Sequence, residues 1–351
     1  MQHAYIDADL TDFPYIVFID ADTDIGAHAL ATGYDIRFTA ADGVTLLSYE
    51  RRSFTIAVGA ATGRFVVKIA AHTAGGDIIY IHYGKAGASD GADAPNAYDA
   101  DFKRVWALNE SYSTAGKNYK DRKGVGNCTL TDADGDSAQG AGPIDKAVDL
   151  NGDADFLTDA DHPDHDPGGA MTIEVWYNPS CIHAKPLIRH TSDTSLTLGW
   201  AIYSWDAVLA NRFMLRFGIT TASGTTIITD PNLSSQANWH YGVGTFDKSL
   251  ASNRLNLYRN GNVVKSANGY NENIDAVANG IILGTFAWGK YDGLIADVRY
   301  STSARSAAWI KFTYRNITET DHEQTWGAEE AAPTGPSIAV VQHHLRMMRG
   351  A

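Results

Sequence analysis

Residues Asp149 to Pro179 read DLNGDADFLTDADHPDHDPGGAMTIEVWYNP, an acidic run followed by an alternating apolar segment. In its second part, Met171 to Tyr177, Ile173 and Val175 alternate with Thr172, Glu174 and Trp176. That is the period of two of a β-strand with one face turned to a core. The first part is a run rich in Asp, His and Gly between two short apolar segments. An acidic loop feeding such a strand is either a metal or ligand site on a β-sandwich or a polar connection. The run DADHPDHDPGG itself reads as an exposed connection rather than a metal cage.

Working outward, the same short alternating pattern recurs in both directions. Toward the N-terminus lie Phe13 to Asp20 (FPYIVFID), Tyr34 to Thr39, Phe54 to Val58, Arg64 to Ile69 and Asp77 to Tyr83. Their spacing suits a compact antiparallel sandwich. Gly84 to Asn96 is small and polar, a linker or long loop. Toward the C-terminus, strands are expected from Phe102 to Leu108 and then repeatedly up to Gly293 to Tyr300. Asn260-Gly261 ends one of them with the strongest short hairpin signal. Many short strands without helical periodicity favour a two-sheet jelly roll. The fold class is therefore all-β, with two β-sandwich domains at residues 1–97 and 98–326 and a linker and C-terminal segment at 327–351.

Ser306 to Tyr314 is the best helical segment of the body. A second helix is expected from Ser337 to Arg349, with Ser337 as its N-cap. It would align Ile338, Val341, Leu345 and Met348 on one face and set Arg346 and Arg349 near its C-terminus. So short a helix needs a partner, which suggests an anchor to another subunit of an assembly.

The composition is that of an ordinary globular protein, 351 residues with 44% hydrophobic and 20% charged. A formal net charge of −13 repels phosphate backbones, so nucleic acid is not an expected partner. Cys128 and Cys181 give neither a disulfide framework nor a zinc spacing, and one bridge or two buried thiols both remain open. The start, MQHAYIDADLTDFPY, lacks a basic region before an apolar one, so either a secretory signal was removed or general secretion is not used. No apolar run has the length of a membrane helix.

Five segments occur in an order that resembles the laminin-G-like, concanavalin A-like jelly roll: LNGDADFLT, TIEVWYNP, NWHYGVGTFD, LNLYRNGNVV and GLIADVRYST. The residues carrying the likeness are Trp176 and Pro179, Trp239 and His240, Asn260-Gly261, and Gly293, Ile295, Asp297, Val298 and Arg299. The resemblance covers Tyr98 to Thr325. Residues Asp9 to Glu110 resemble a family of uncharacterised β-domains that precedes this jelly roll in bacterial surface and phage proteins. The matching pieces are DLTDFPYIV, GYDIRFTAADGVTLLSYE, IIYIHYGKAGASD and the joining run DFKRVWALNE.

Glycoside hydrolysis on such a fold needs two carboxylates across a cleft, commonly Glu-x-Asp-x-x-Glu on one strand. That pattern is absent and Glu174 stands alone, so the chain is expected not to be an enzyme. There is no Gly-x-Ser-x-Gly elbow and no P-loop. Pro163 lies between His162 and His165, which removes helical zinc spacing.

Calcium is the better metal reading. Asp132, Asp134 and Asp136 resemble the first half of a calcium loop, but the later Glu is missing. Asp149, Asp153 and Asp155 form a second cluster. The resemblance implies one structural calcium near a sheet edge, which Asp297 would join. Asx turns and solvated loops explain the same residues equally simply.

Aromatic residues supply the other signal. In GWAIYSW, Trp200, Ile202 and Ser204 share one face of a strand and Ala201, Tyr203 and Trp205 the other. Tyr203 and Trp205, and the loop pair Trp288 and Tyr291, are candidates for stacking on sugar rings, with core packing as the alternative.

The expectation is thus a non-catalytic recognition protein with a lectin-like domain for glycans or host surfaces. Its expected setting is the surface of a virion, as a homo-oligomeric fibre, spike or decoration component held by its C-terminal segment. The alternative is an extracellular or bacterial cell-surface carbohydrate-binding module, and a polysaccharide-degrading enzyme stands third.

Overall fold

A computed structural model describes residues 6–110, 118–132, 138–153, 155–180, 185–191, 196–206, 212–232, 234–286, 289–330 and 341–347. The chain divides into two compact units, 1–99 together with 312–351, and 100–311. The breaks therefore fall at 99/100 and 311/312, and the residues expected to form a separate terminal segment belong to the first unit.

The first unit holds two antiparallel sheets. Leu10–Asp22 pairs with Ala60–His72, which pairs with Tyr49–Ala57. Seven successive residues of Leu10–Asp22, from Phe13 to Ile19, are buried, so over that span neither face of the strand meets water. Its free edge is closed by side chains rather than by another strand. The Asn316 carboxamide bonds the backbone N–H and C=O of Ile16, and Gln324 does the same for Phe18. An edge satisfied in this way offers no template for a foreign strand.

The second sheet runs in the order Gln324–Glu330, Val341–Met347, Ile78–Tyr83, Arg37–Thr39, Leu46–Leu47. Here the expected terminal helix is corrected: the described residues of that segment form a strand. Val341 opposes Tyr83 and Arg346 opposes Ile78 on one side, while Leu345 opposes Trp326 on the other. Ile338, Met348 and Arg349 lie outside the described residues. The sequence VQHHLRM fits a period of two as well as a helical one, and an edge strand offering unpaired backbone groups decides between them. The helical element near the C-terminus is Ala307–Thr318, where the Ser306 hydroxyl caps the N–H of Trp309.

The second unit is a two-sheet jelly roll. One sheet is ordered 138–141, 146–151, 292–301, 170–179, 240–247, 255–259, 262–267, with Phe102–Trp106 also paired to Asp292–Ser301. The other, the larger of the two, is ordered 224–229, 212–221, 200–206, 185–190, 282–283, 156–158, 128–131, 118–119, with Ser234–Ser235 also paired to Arg212–Thr221. Ala170–Pro179 lies in the middle of the first sheet, between His240–Asp247 and Asp292–Ser301. Its Met171, Ile173, Val175 and Tyr177 enter the core, where they join Trp200, Ile202, Leu215 and Phe217 of the opposite sheet. The Asn260-Gly261 hairpin has positive φ at both residues, 50° and 78°, as a primed two-residue turn requires.

Candidate functional site

The outward face of the larger jelly-roll sheet is built by alternation. Trp200 and Ile202 point into the core, so Ala201, Tyr203 and Trp205 point away from it. On the neighbouring strand Leu215 and Phe217 are core residues, so Met214 and Arg216 share the outward face. Tyr203 stands opposite Arg216, and Trp205 opposite Met214. The Arg216 guanidinium reaches diagonally to lie 4.2 Å from the Trp205 ring centroid. Such a cation over an indole face contributes about 0.5–1 kcal/mol at an exposed site. Tyr203 meets the Trp205 ring edge-on at 6.3 Å. Burial pushes the Tyr203 hydroxyl above its usual range, and the nearby Arg216 charge only partly offsets this.

These positions separate the four aromatic candidates. Trp205 is 37% exposed, whereas Tyr203 is 6% exposed and serves to support it. Tyr291 is fully buried in the jelly-roll core, where its ring cannot meet a sugar, so that candidate is corrected. Trp288 lies outside the described residues. On the far side of Ala201 stands Arg189, whose guanidinium lies 4.8 Å from the Phe286 ring centroid and whose Nε donates to the Thr285 carbonyl. Neither arginine stood out in the sequence. Only the interruption of FMLRFGI by a charge at an outward position signalled Arg216.

The outward face of the smaller sheet carries Glu174, which is 1% exposed. Tyr241 donates its hydroxyl proton to Glu174 Oε2 at 2.5 Å. Burial raises the Glu174 carboxyl above its usual range, against the lowering effects of Arg299 and of the Tyr241 bond. Trp176 stacks on Tyr241 at 4.8 Å and is likewise buried.

The loop 159–168 is the expected exposed connection only in part: Ala160, Asp161 and Pro163 are exposed, but other residues of it are built into the domain. His165 is fully buried and Asp159 is 5% exposed. Asp159 Oδ2 accepts from Arg104 Nε at 2.6 Å and from His165 Nε2 at 2.8 Å. Burial acts to raise the Asp159 carboxyl, but hydrogen bonds from His165 and Arg104 outweigh it and hold it below the usual range. His190 Nε2 lies 3.1 Å from Asp166 Oδ1, which also accepts the Val277 N–H. The loop is thereby tied to three separate stretches of the jelly roll.

The carboxylates proposed for calcium are dispersed in role. Asp149 is half-buried, and its carboxyl is raised by burial and by the nearby Asp292 charge. Asp153 is exposed and Asp155 fully buried. Asp297, at φ 44° in a bulge against Ala170–Pro179, lies 2.7 Å from Arg299 Nη2. Among the described residues no group of three or more His, Cys, Asp or Glu is placed to hold a metal ion. Asp132 is among the described residues, whereas Asp134 and Asp136 lie outside them. Cys128 is buried, and burial raises its thiol; Cys181 lies outside the described residues.

Comparison with known proteins bears on the second unit. Residues 151–311 match the family described as the concanavalin A-like lectin/glucanases superfamily. No curated protein matches the chain. Among solved structures, domain 4 of an extracellular arabinanase from Geobacillus stearothermophilus, in complex with arabinotriose, is 16% identical with a TM-score of 0.46. That match covers 60% of this chain and 97% of the arabinanase domain. The binding domain of Paraclostridial Mosquitocidal Protein 1 is 14% identical, with a TM-score of 0.47 over 63% of this chain and 53% of its own. The binding domain of botulinum neurotoxin DC, in complex with SialylT, is 12% identical, with a TM-score of 0.46 over 63% and 52%. The chain thus spans about half the length of these two toxin domains. Two packed antiparallel sheets, the central strand Ala170–Pro179 and the family match agree: residues 151–311 form a laminin-G-like domain of the concanavalin A-like lectin/glucanase superfamily.

Proposed function

We propose that this chain is a non-catalytic recognition protein whose laminin-G-like domain binds glycans on the outward face of its larger sheet. The observation that carries this reading is Trp205, 37% exposed, with Arg216 held 4.2 Å from its ring centroid. Sugars present C–H faces that pack on an aromatic ring and hydroxyls that accept from a guanidinium. The absence of catalysis is part of the proposal. Glu174 is enclosed between Tyr241 and Arg299, and the nearby Asp297 is paired with Arg299 rather than facing it across a cleft. A glycan array probed with the wild-type chain and with Trp205→Ala tests the reading. Binding that disappears in the variant supports it, and an equal signal from both counts against it.

The setting we propose is a virion surface, with the chain as a homo-oligomeric structural component. Its support is the resemblance of both halves to domains that occur together in phage and bacterial surface proteins. Mass spectrometry of purified particles from the host culture tests it, and recovery of the chain only from cell envelopes would favour a bacterial surface module.

A further inference from the structure

We infer that the loop 159–168 is an acid-released clasp: protonation of His165 and His190, whose imidazoles meet inside the jelly-roll domain, frees it from the sandwich. The inference is independent of glycan binding. At one end of the loop the Asp159 N–H reaches the Ile281 carbonyl, and at the other the Gly168 carbonyl accepts the Ile274 N–H. Between these ends, among the described residues, the backbone-to-backbone hydrogen bonds stay within the loop, from His165 N–H to His162 and from Asp166 N–H to Pro163. Bonds that involve side chains fasten the rest. The His165 carbonyl accepts from the Tyr300 hydroxyl at 3.0 Å and from the Trp200 indole at 3.4 Å. Asp159 holds Arg104 and His165, and Asp166 holds His190 and the Val277 N–H. Gly168, at φ 64° with open space where a Cβ would stand, gives the loop a pivot.

The fastening suits neutral imidazoles. His165 and His190 are both fully buried, with ring centroids 5.4 Å apart. His165 Nε2 donates to Asp159, so Nδ1 of the neutral ring is a bare lone pair, and among the described residues no hydrogen-bond partner faces it. A second proton there would make a buried donor without an acceptor, beside an Asp159 whose charge Arg104 already balances. Burial, and after it the nearby His165, hold the His190 imidazole below its ordinary 6.5, although Asp166 acts the other way. At the rim, His162 Nδ1 accepts the Asp164 N–H, which a ring protonated at that atom cannot do. The other titratable groups around the pair are Asp164, Tyr300 and Cys128, and burial keeps the last two neutral by raising them. Two imidazolium ions at this separation would thus repel one another with one free carboxylate between them. A histidine held neutral in the fold contributes stability that is complete above 6.5 and is lost as pH falls below it. The clasp therefore opens on the acid side.

The test is hydrogen exchange of the full chain read by mass spectrometry at pH 8 and at pH 5, with intrinsic exchange rates corrected for pH. Peptides covering 159–168 should lose protection at least tenfold at pH 5, while those from Ala170–Pro179 keep theirs. His165→Gln retains a donor for Asp159 and His190→Gln one for Asp166; each variant, checked by thermal melting, should suppress most of that loss. The wild type supplies a second reading that needs no variant. Imidazole resonances followed by NMR should show one ring that stays neutral below pH 6.5 and titrates over the interval in which the loop opens. A loop equally protected at both pH values would overturn the inference. So would a loss that persists unchanged in both variants, which would assign it to carboxylates. Protection lost alike throughout residues 100–311 would mean unfolding of the whole domain and would also overturn it.

Discussion

At the scale of single residues, the environments of similar side chains set them apart. Trp200 and Trp205 are five positions apart on one strand, yet one is core and the other half in water, because strand faces alternate. That distinction was legible in GWAIYSW. The burial of Tyr291 was not, since a Tyr in a Gly- and Asp-rich loop carries no periodicity to read. Glu323 is a second residue the sequence did not mark. It is 1% exposed and paired with Arg315, and burial and the neighbouring Glu319 charge push its carboxyl up to about 8. A carboxyl raised in the fold above its ordinary 4.5 binds protons more tightly there than in the unfolded chain. Its contribution to stability is therefore full below pH 4.5 and lost as pH climbs through 8. Glu323→Gln should flatten the dependence of melting temperature on pH across that interval and raise the melting point by several degrees at pH 9, as differential scanning calorimetry would show. Unchanged pH profiles would refute the assignment.

At the scale of elements, Ala170–Pro179 sends Ile173 and Val175 into the core as its alternation promised, but Thr172, Glu174 and Trp176 on its other face are buried as well. Ile173 is fully buried in the jelly-roll core, so Ile173→Ala should cost about 2–5 kcal/mol in denaturant unfolding. The loop before that strand was misleading for a physical reason. Asp159 and His165 are neutral as evidence until their partner is known, and Arg104 lies 55 residues away from Asp159. Breaking such a buried pair leaves an uncompensated charge. Arg104→Met should accordingly destabilise the domain by about 3–5 kcal/mol. The terminal segment was ambiguous because a short sequence with two admissible periods is settled by its neighbours. Val341–Met347 sits between Ile78–Tyr83 and Gln324–Glu330. Deleting residues 331–351 should therefore lower the melting temperature of the first unit and leave the unfolding of residues 100–311 unchanged. A detachable anchor would instead be lost with no change in melting.

At the scale of the whole molecule, the first unit is assembled from both ends of the chain, and the jelly roll is inserted between them. Strand type and the jelly-roll class were readable from local patterns, whereas this arrangement depends on pairing between residues some 260 positions apart, as between Tyr83 and Val341. Local periodicity contains no information about such partners. The glycan-binding face has the same character: its aromatic residue was visible in one strand, while the arginine beside it came from the next and was placed by register. Glycan binding at Trp205 is tested by calorimetric titration of the full chain with the best ligand from a glycan array, comparing wild type with Trp205→Ala at matched melting temperature. The account predicts saturable binding that weakens at least tenfold in the variant. Unaltered affinity in Trp205→Ala would contradict it.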